Sequence, residues 1–361
     1  RECLELSINL GADAVYMNNL KKSSLHHAAA VGNVEIVKLL ISKITGTRLL
    51  DYLNAKDSYG RTPLMVALAQ GNMSVAFELV RRGASMENVD DQGLNPLHHY
   101  CRNNLILEPY FRLSKFYRLL HPADPKLIVE DVKRKATNGE TCLSLSAEHN
   151  SFSKIYSFLK LGLEINPKHS DVVPPMIAAL MKGNYVLAKK LQSLGAVFNK
   201  EQSNKYPFFP GTVYSGSDQS AELCLEIGCN VRRADNKGNT LLHLAAEKDM
   251  YSLVGKLIKR GIPVDSKNYS GLTPLMIAMV NGSYNTSLEL IRLGAQLDSI
   301  SGNKSTPFFY ALLGGCEKCV DLCLELRKGL SGKSIDGSNA FHVLTDTYGI
   351  EFVDKLFRFI P

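Results

Sequence analysis

Thr62-Pro63-Leu64-Met65, Asn95-Pro96-Leu97-His98 and Thr273-Pro274-Leu275-Met276 are three copies of one short string. Setting the register on the Leu brings out further copies, with anchors at Leu25, Leu64, Leu97, Leu143, Met176, Phe208, Leu242, Leu275, Phe308 and Phe341. The successive spacings are 39, 33, 46, 33, 32, 34, 33, 33 and 33 residues. A fixed period of this size marks a repeat architecture, in which each segment is one supersecondary unit stacked on the next.

Other columns follow the anchors. Three residues on, the chain is mostly small: Ala28, Ala67, Ala179, Ala245, Ala278 and Ala311. Seven on stand turn residues: Gly32, Gly71, Asn104, Asn150, Gly183, Asp249, Gly282 and Gly315. Fifteen on, the column is apolar: Leu40, Leu79, Phe158, Leu191, Leu223, Leu257, Leu290, Cys323 and Leu356. Nineteen on, Gly83, Gly162, Gly195, Gly261 and Gly294 close the repeat. Thr before Pro reads as an N-cap followed by the first helical residue. The small column lets a short first helix approach its neighbours, the turn residue reverses the chain, and a second helix ends at a glycine C-cap. Asp-x-x-Gly segments before the anchors, such as 57–60, 90–93 and 235–238, read as tight turns that form fingers.

This pattern resembles the ankyrin repeat, whose signature is Thr-Pro-Leu-His-x-Ala. The resemblance spans nearly the whole chain. It implies an all-α fold, an ankyrin-repeat solenoid of about ten helix-turn-helix units with turn fingers and one long insertion. Inner helices and fingers would line a concave surface. The resemblance also implies a structural role for the histidines one past the anchor (His26, His98, His243 and His342), which would hydrogen-bond to neighbouring turns.

The organisation expected is a single array over 1–361, with an insertion at 105–138 and an irregular hinge at 200–221. Pro207, Pro210, Gly211, Gly216 and Ser217 predict a shortened or irregular inner helix at the Phe208 anchor. The extra residues after Leu97 read either as a lengthened outer helix packing on the core or as a protruding partner contact. Arg102 to Lys135 holds eight Lys/Arg and four Asp/Glu, and Lys133-Arg134-Lys135 is its densest point. Apolar residues near both ends, such as Leu6 and Phe357, suggest a segment of a longer chain.

Composition narrows the chemistry. The 361 residues are 45% hydrophobic and 21% charged, which excludes disorder. The net charge of +7 is too small for a dedicated nucleic-acid binder. No apolar run reaches the length of a membrane span. Eight scattered Cys favour a reducing compartment, and so a cytoplasmic location, over a disulfide framework. Cys316-x-x-Cys319 lacks the second pair of a zinc ribbon and the βαβ setting of a redox motif, and reads as core packing. His98-His99-x-Cys101 has poor zinc geometry, because adjacent helical side chains diverge. No phosphate loop, nucleophile elbow or metalloprotease motif appears. The reading is therefore non-enzymatic, without cofactor or metal: a scaffold that binds other proteins. The alternative is the non-catalytic arm of a larger enzyme, channel or assembly, in contact with flanking domains of its own chain. Candidate partner contacts are the finger residues Tyr59, Arg61, Gln92, Leu94, Lys237, Asn239, Tyr269 and Leu272, the inner-helix residues Gln70, Glu247, Lys248 and Asn281, and the basic run Lys133, Arg134 and Lys135.

Overall fold

The structure, a computed structural model, describes residues 13, 15–44, 46, 48–103, 132–167, 169, 172–198 and 208–326. Among them lie eighteen helices, and the one β-feature is an isolated bridge between Met17 and Ser23. In chain order the helices are α1 (Ser24–Val31), α2 (Val34–Ser42), α3 (Arg48–Leu53), α4 (Pro63–Ala69), α5 (Met73–Arg81), α6 (Pro96–Arg102), α7 (Cys142–Glu148), α8 (Phe152–Lys160) and α9 (Pro175–Met181). They continue as α10 (Tyr185–Ser193), α11 (Phe208–Tyr214), α12 (Asp218–Glu226), α13 (Leu241–Glu247), α14 (Tyr251–Lys259), α15 (Pro274–Val280), α16 (Tyr284–Arg292), α17 (Pro307–Leu313) and α18 (Glu317–Leu326). The chain forms two compact units, residues 1–179 with 186–197, and residues 180–185 with 198–361. The first stacks inner helices α1, α4, α6 and α7 in order; the second stacks α11, α13, α15 and α17, with outer helices α12, α14, α16 and α18 packed in the same sequence.

Six inner helices, α1, α4, α6, α7, α13 and α15, start at a reciprocal cap. Thr62, Asn95, Thr141 and Thr273 accept the N–H of the third helical residue, while that residue's side chain accepts the cap's own N–H. The third residue is not the usual Glu. It is His26, His98 or His243 in some repeats, Met65 or Met276 in others, and Ser144 in α7. Each His does a second job. Its Nδ1 accepts the cap N–H, so Nε2 carries the proton and donates to a carbonyl in the next turn. These bonds run from His26 to Arg61 (3.0 Å), His98 to Arg134 (3.1 Å) and His243 to Leu272 (2.9 Å). The expected structural histidines are in place; His342 lies outside the described residues.

Five outer helices, α5, α8, α10, α14 and α16, end alike. The residue after the closing glycine sends its N–H back five residues, as Ala84 to Leu79, Leu163 to Phe158, Ala196 to Leu191, Ile262 to Leu257 and Ala295 to Leu290. Both members of each pair are buried, so the cap is also an apolar contact. Cys224 and Cys229 form the same pair at the end of α12. The small column and the fifteenth-residue column are buried wherever they are described, Cys323 included; Leu356 lies outside.

Three features differ from expectation or were not anticipated. The Phe208 repeat has a seven-residue inner helix, as long as α4 or α15, and not a shortened one. Pro210 is its third residue, where the N–H has no intrahelical acceptor, so the ring removes nothing. The six extra residues before Leu64 form α3, whose Tyr52 is buried and hydrogen-bonded to the Ser24 hydroxyl at 2.6 Å. Lys154 of α8 is buried, with its ammonium on the carbonyls of Tyr100 and Asn103 and 4.5 Å from the Tyr100 ring centroid. It closes the C-terminus of α6, where a cation is favourable. Of the segment 105–138, residues 105–131 lie outside the described residues, as do 200–207 of the expected hinge.

Backbone strain falls at defined sites. Asn150 and Asp249 hold φ 53° in the turn column, and Lys21 and Lys304 hold φ 54° and 60° four before their anchors, where other repeats have Gly. A Cβ on Gly271 would stand 2.5 Å from the Gly302 backbone N, whereas one on Gly294 would meet nothing within 4 Å. Both glycines have positive φ. Gly271→Ala is therefore expected to destabilise the chain by clearly more than Gly294→Ala, which carries only the left-handed cost of about 1–2 kcal/mol. Denaturant titration of both variants measures the difference.

Leu257 is wholly buried. Leu257→Ala is expected to cost roughly 2–5 kcal/mol in the same measurement.

The histidine clasps predict acid sensitivity. Burial lowers the pKa of His26 and His243 and takes His98 down to about 4, against raising contributions from the carbonyls they hold. Protonating Nδ1 would also expel the cap N–H. The unfolded chain takes up these protons near 6.5 and the folded chain only below that. The unfolded state thus binds more protons in between, and stability falls as pH drops from 6.5 towards 4. For His98 the full loss is roughly 3 kcal/mol. His98→Met, which installs the residue α4 and α15 already use, is expected to flatten that slope in denaturation curves recorded across this pH range.

Candidate functional site

A finger is closed by one side-chain oxygen. Oδ1 of Asp57 accepts the N–H of Tyr59 and Arg61, and Oδ1 of Asp90 those of Gln92 and Leu94. Asp235 does the same for Lys237 and Asn239, and Asn268 for Ser270 and Leu272. Burial raises the Asp57 pKa, but the Arg61 guanidinium and the backbone N–H donors outweigh it, and the net direction is down. Asp90 and Asp235 are likewise lowered; His99 and backbone donors outweigh burial at the first, and Asn239 and Lys237 donors at the second. Fingers join through single backbone bonds: Ser58 to Leu20, Asp91 to Tyr59, Thr137 to Gln92, Tyr269 to Lys237 and Gly302 to Ser270.

This geometry sorts the predicted contacts. Arg61, Leu94, Asn239 and Leu272 form one column, the residue after the finger glycine. They lie at the closed base of the finger and not at its tip. Leu94 is 0% exposed and is corrected from partner contact to core residue: its backbone completes the turn and its side chain faces inward ahead of the Asn95 cap. Arg61 is committed to Asp57, with Nη2 at 2.8 Å from Oδ2. Asn239 is 8% exposed and spans Asp235 Oδ2 and Asn268 Nδ2.

The exposed tip residues are Tyr59, Gln92, Lys237 and Tyr269. Tyr269 is 82% exposed, yet its ring lies over Gly238, where a Cβ would come within 2.7 Å of it. Tyr59 is 58% exposed, with the Arg61 guanidinium 4.9 Å from its centroid. Both rings are thus held in place while presenting a face outward. On the inner helices, Gln70, Lys248 and Asn281 are exposed, and Glu247 pairs with Lys248 at 3.0 Å. Lys133, Arg134 and Lys135 are exposed in the first unit.

In the second unit the structure brings six predicted residues together. Lys237, Asn239, Glu247, Tyr269, Leu272 and Asn281 line one cleft of about 490 Å³ between two fingers and helices α13 and α15. Asn268, Ser270 and Ile277 complete its wall. The cleft offers an ammonium, a carboxylate, amides and an aromatic face, which is recognition chemistry for a polar chain.

Two further residues, one in each unit, were not named as contacts in the sequence reading. Tyr214 donates to Asp235 Oδ2 at 3.3 Å, and Lys248 lies 6.0 Å from its ring; burial and Asp235 raise its pKa. It stands six past its anchor, in the column of Gln70, Lys248 and Asn281, a signal hidden by the discounting of its helix. Arg102 reaches both Gln92 and Glu140 at 3.4 Å and ties two fingers together. The residues of the imagined metal cluster go separate ways: His98 to the Arg134 carbonyl, His99 to Asp90 Oδ2 at 2.9 Å, and Cys101 into the core.

Comparison with known proteins agrees with the register. A family model for ankyrin repeats (3 copies) matches residues 1–90 and 212–301. Similar proteins include the phosphocholine transferase AnkX of Legionella pneumophila, 23% identical over 67% of this chain and 26% of its own length. The human transient receptor potential cation channel subfamily A member 1 is 24% identical over 67% of this chain and 18% of its own. Mouse NF-kappa-B inhibitor alpha is 25% identical over 40% of this chain and 43% of its own. The chain thus spans about a quarter or less of the length of the first two relatives. Helix pairs in register, reciprocal caps, stacked fingers and these matches place the chain in the ankyrin-repeat family.

Proposed function

We propose that this chain is a non-enzymatic scaffold that binds another protein through its inner-helix face and finger tips. The observation that carries the reading is the cleft of the second unit. Six residues chosen for their repeat position, 237 to 281, converge on it. Its most exposed wall is an aromatic ring already fixed in place, and immobilised aromatics bind with little entropy loss. A cytoplasmic setting suits the seven free thiols among the described residues. No described helix is long and apolar enough to cross a membrane, which favours a partner over a lipid core.

A second reading has its own support. The transferase and the channel share only 26% and 18% of their lengths with this chain. Within such a protein the same surface would hold a flanking domain, as a non-catalytic arm.

Affinity capture with the chain supplies a binder, whose titration against variants tests the surface. Tyr269→Ala with Lys237→Ala is expected to weaken binding about tenfold or more, near 1.4 kcal/mol. Reversing Lys133, Arg134 and Lys135 to Glu is expected to weaken an acidic partner and leave the fold intact, since exposed changes alter stability by less than about 0.5 kcal/mol. If both variants, and Tyr59→Ala with Tyr269→Ala, keep full affinity, the outer-helix surface is the contact instead.

A further inference from the structure

The seven described cysteines are free, and all but Cys316 are buried. Cys316 stands immediately before α18. Its carbonyl accepts the N–H of Cys319 at 3.0 Å and of Val320 at 3.1 Å, so it occupies the N-cap position. Cys319 is then the third helical residue. Cap and third-residue side chains face each other across a helix start, as Asn95 and His98 do in α6. Here both side chains are thiols. Cys319 is 0% exposed, whereas Cys316 is half-buried. A solvent-reachable cysteine at the cap thus stands beside a shielded one at the third position, in the two-residue spacing that a disulfide can close at a helix N-terminus.

The other close pairs lack the first half of this arrangement. Cys224 and Cys229 are both buried in the cap of α12, and Cys101 and Cys142 are both buried on neighbouring inner helices. Burial and the neighbouring thiol raise the Cys319 pKa, so Cys316 is the group that meets an oxidant first.

We propose that Cys316 and Cys319 form a reversible dithiol–disulfide pair, oxidised by a small-molecule disulfide such as oxidised glutathione. Cys316, as thiolate, attacks one sulfur of oxidised glutathione and forms a mixed disulfide. The departing glutathione thiolate takes up the proton Cys316 gave to solvent. Cys319 then loses its proton and attacks the Cys316 sulfur, releasing a second glutathione thiol. Two protein thiols are oxidised and one disulfide is reduced to two thiols. The bridge also acts on a repeat seam. Cys316 Sγ now contacts the Gly282 carbonyl of the preceding repeat at 3.9 Å. Closing the bridge draws the Cys316 sulfur towards Cys319 and away from that carbonyl.

The full chain, reduced and then exposed to excess oxidised glutathione, is alkylated under denaturing conditions and digested with trypsin. Cleavage after Lys318 separates 305–318 from 319–327, so a link appears as two joined peptides. The expected product joins Cys316 to Cys319, persists in Cys323→Ser and disappears with dithiothreitol. Cys319→Ser is expected to stop at one glutathione per chain on Cys316, and Cys316→Ser to leave Cys319 unmodified. The proposal is overturned if the unaltered chain stops at glutathionylated Cys316, if Cys316 does not react, or if the link runs to Cys323.

Discussion

The reciprocal cap that starts six of the inner helices is the interaction on which the remainder rests. A helix of seven residues cannot sustain itself in water, because nucleation consumes most of what so few bonds return. The cap fixes the first turn from both sides, and where the third residue is His it also reaches the next finger. One side chain therefore sets the start of its own helix and the position of its neighbour. Thr-Pro supplies the pre-formed entry in α4, α15 and α17. Methionine and serine close the cap as well as histidine does, but forgo the link onward.

Much of the fold was legible because the columns record backbone necessities. A turn that needs φ > 0 shows Gly, and a close helix approach shows Ala. The reading failed where a rule has a positional exception. Pro210 was counted against α11, although a proline among the first helical residues removes no bond. Gly stands four before several anchors, and Lys21 and Lys304 adopt the same backbone there while leaving no mark in the sequence.

The candidate surface was less legible, for a different reason. Period identifies equivalent positions but not which way the backbone points between them. Arg61, Leu94, Asn239 and Leu272 vary as tips do, and still sit at the base of the finger. Lys154 lies on an outer helix, and only packing reveals that its ammonium serves α6. Tyr214 and Arg102 were invisible because their partners lie on fingers distant in sequence.

Adjacent fingers share a main-chain bond: one N–H from one tip, one carbonyl from the one before it. The side chains of Tyr59, Lys237 and Ser270 take no part in that bond. Replacing them leaves the joint untouched, so such positions can drift in sequence without threatening the stack. A protein assembled this way can change what it recognises at a pace its own architecture does not limit.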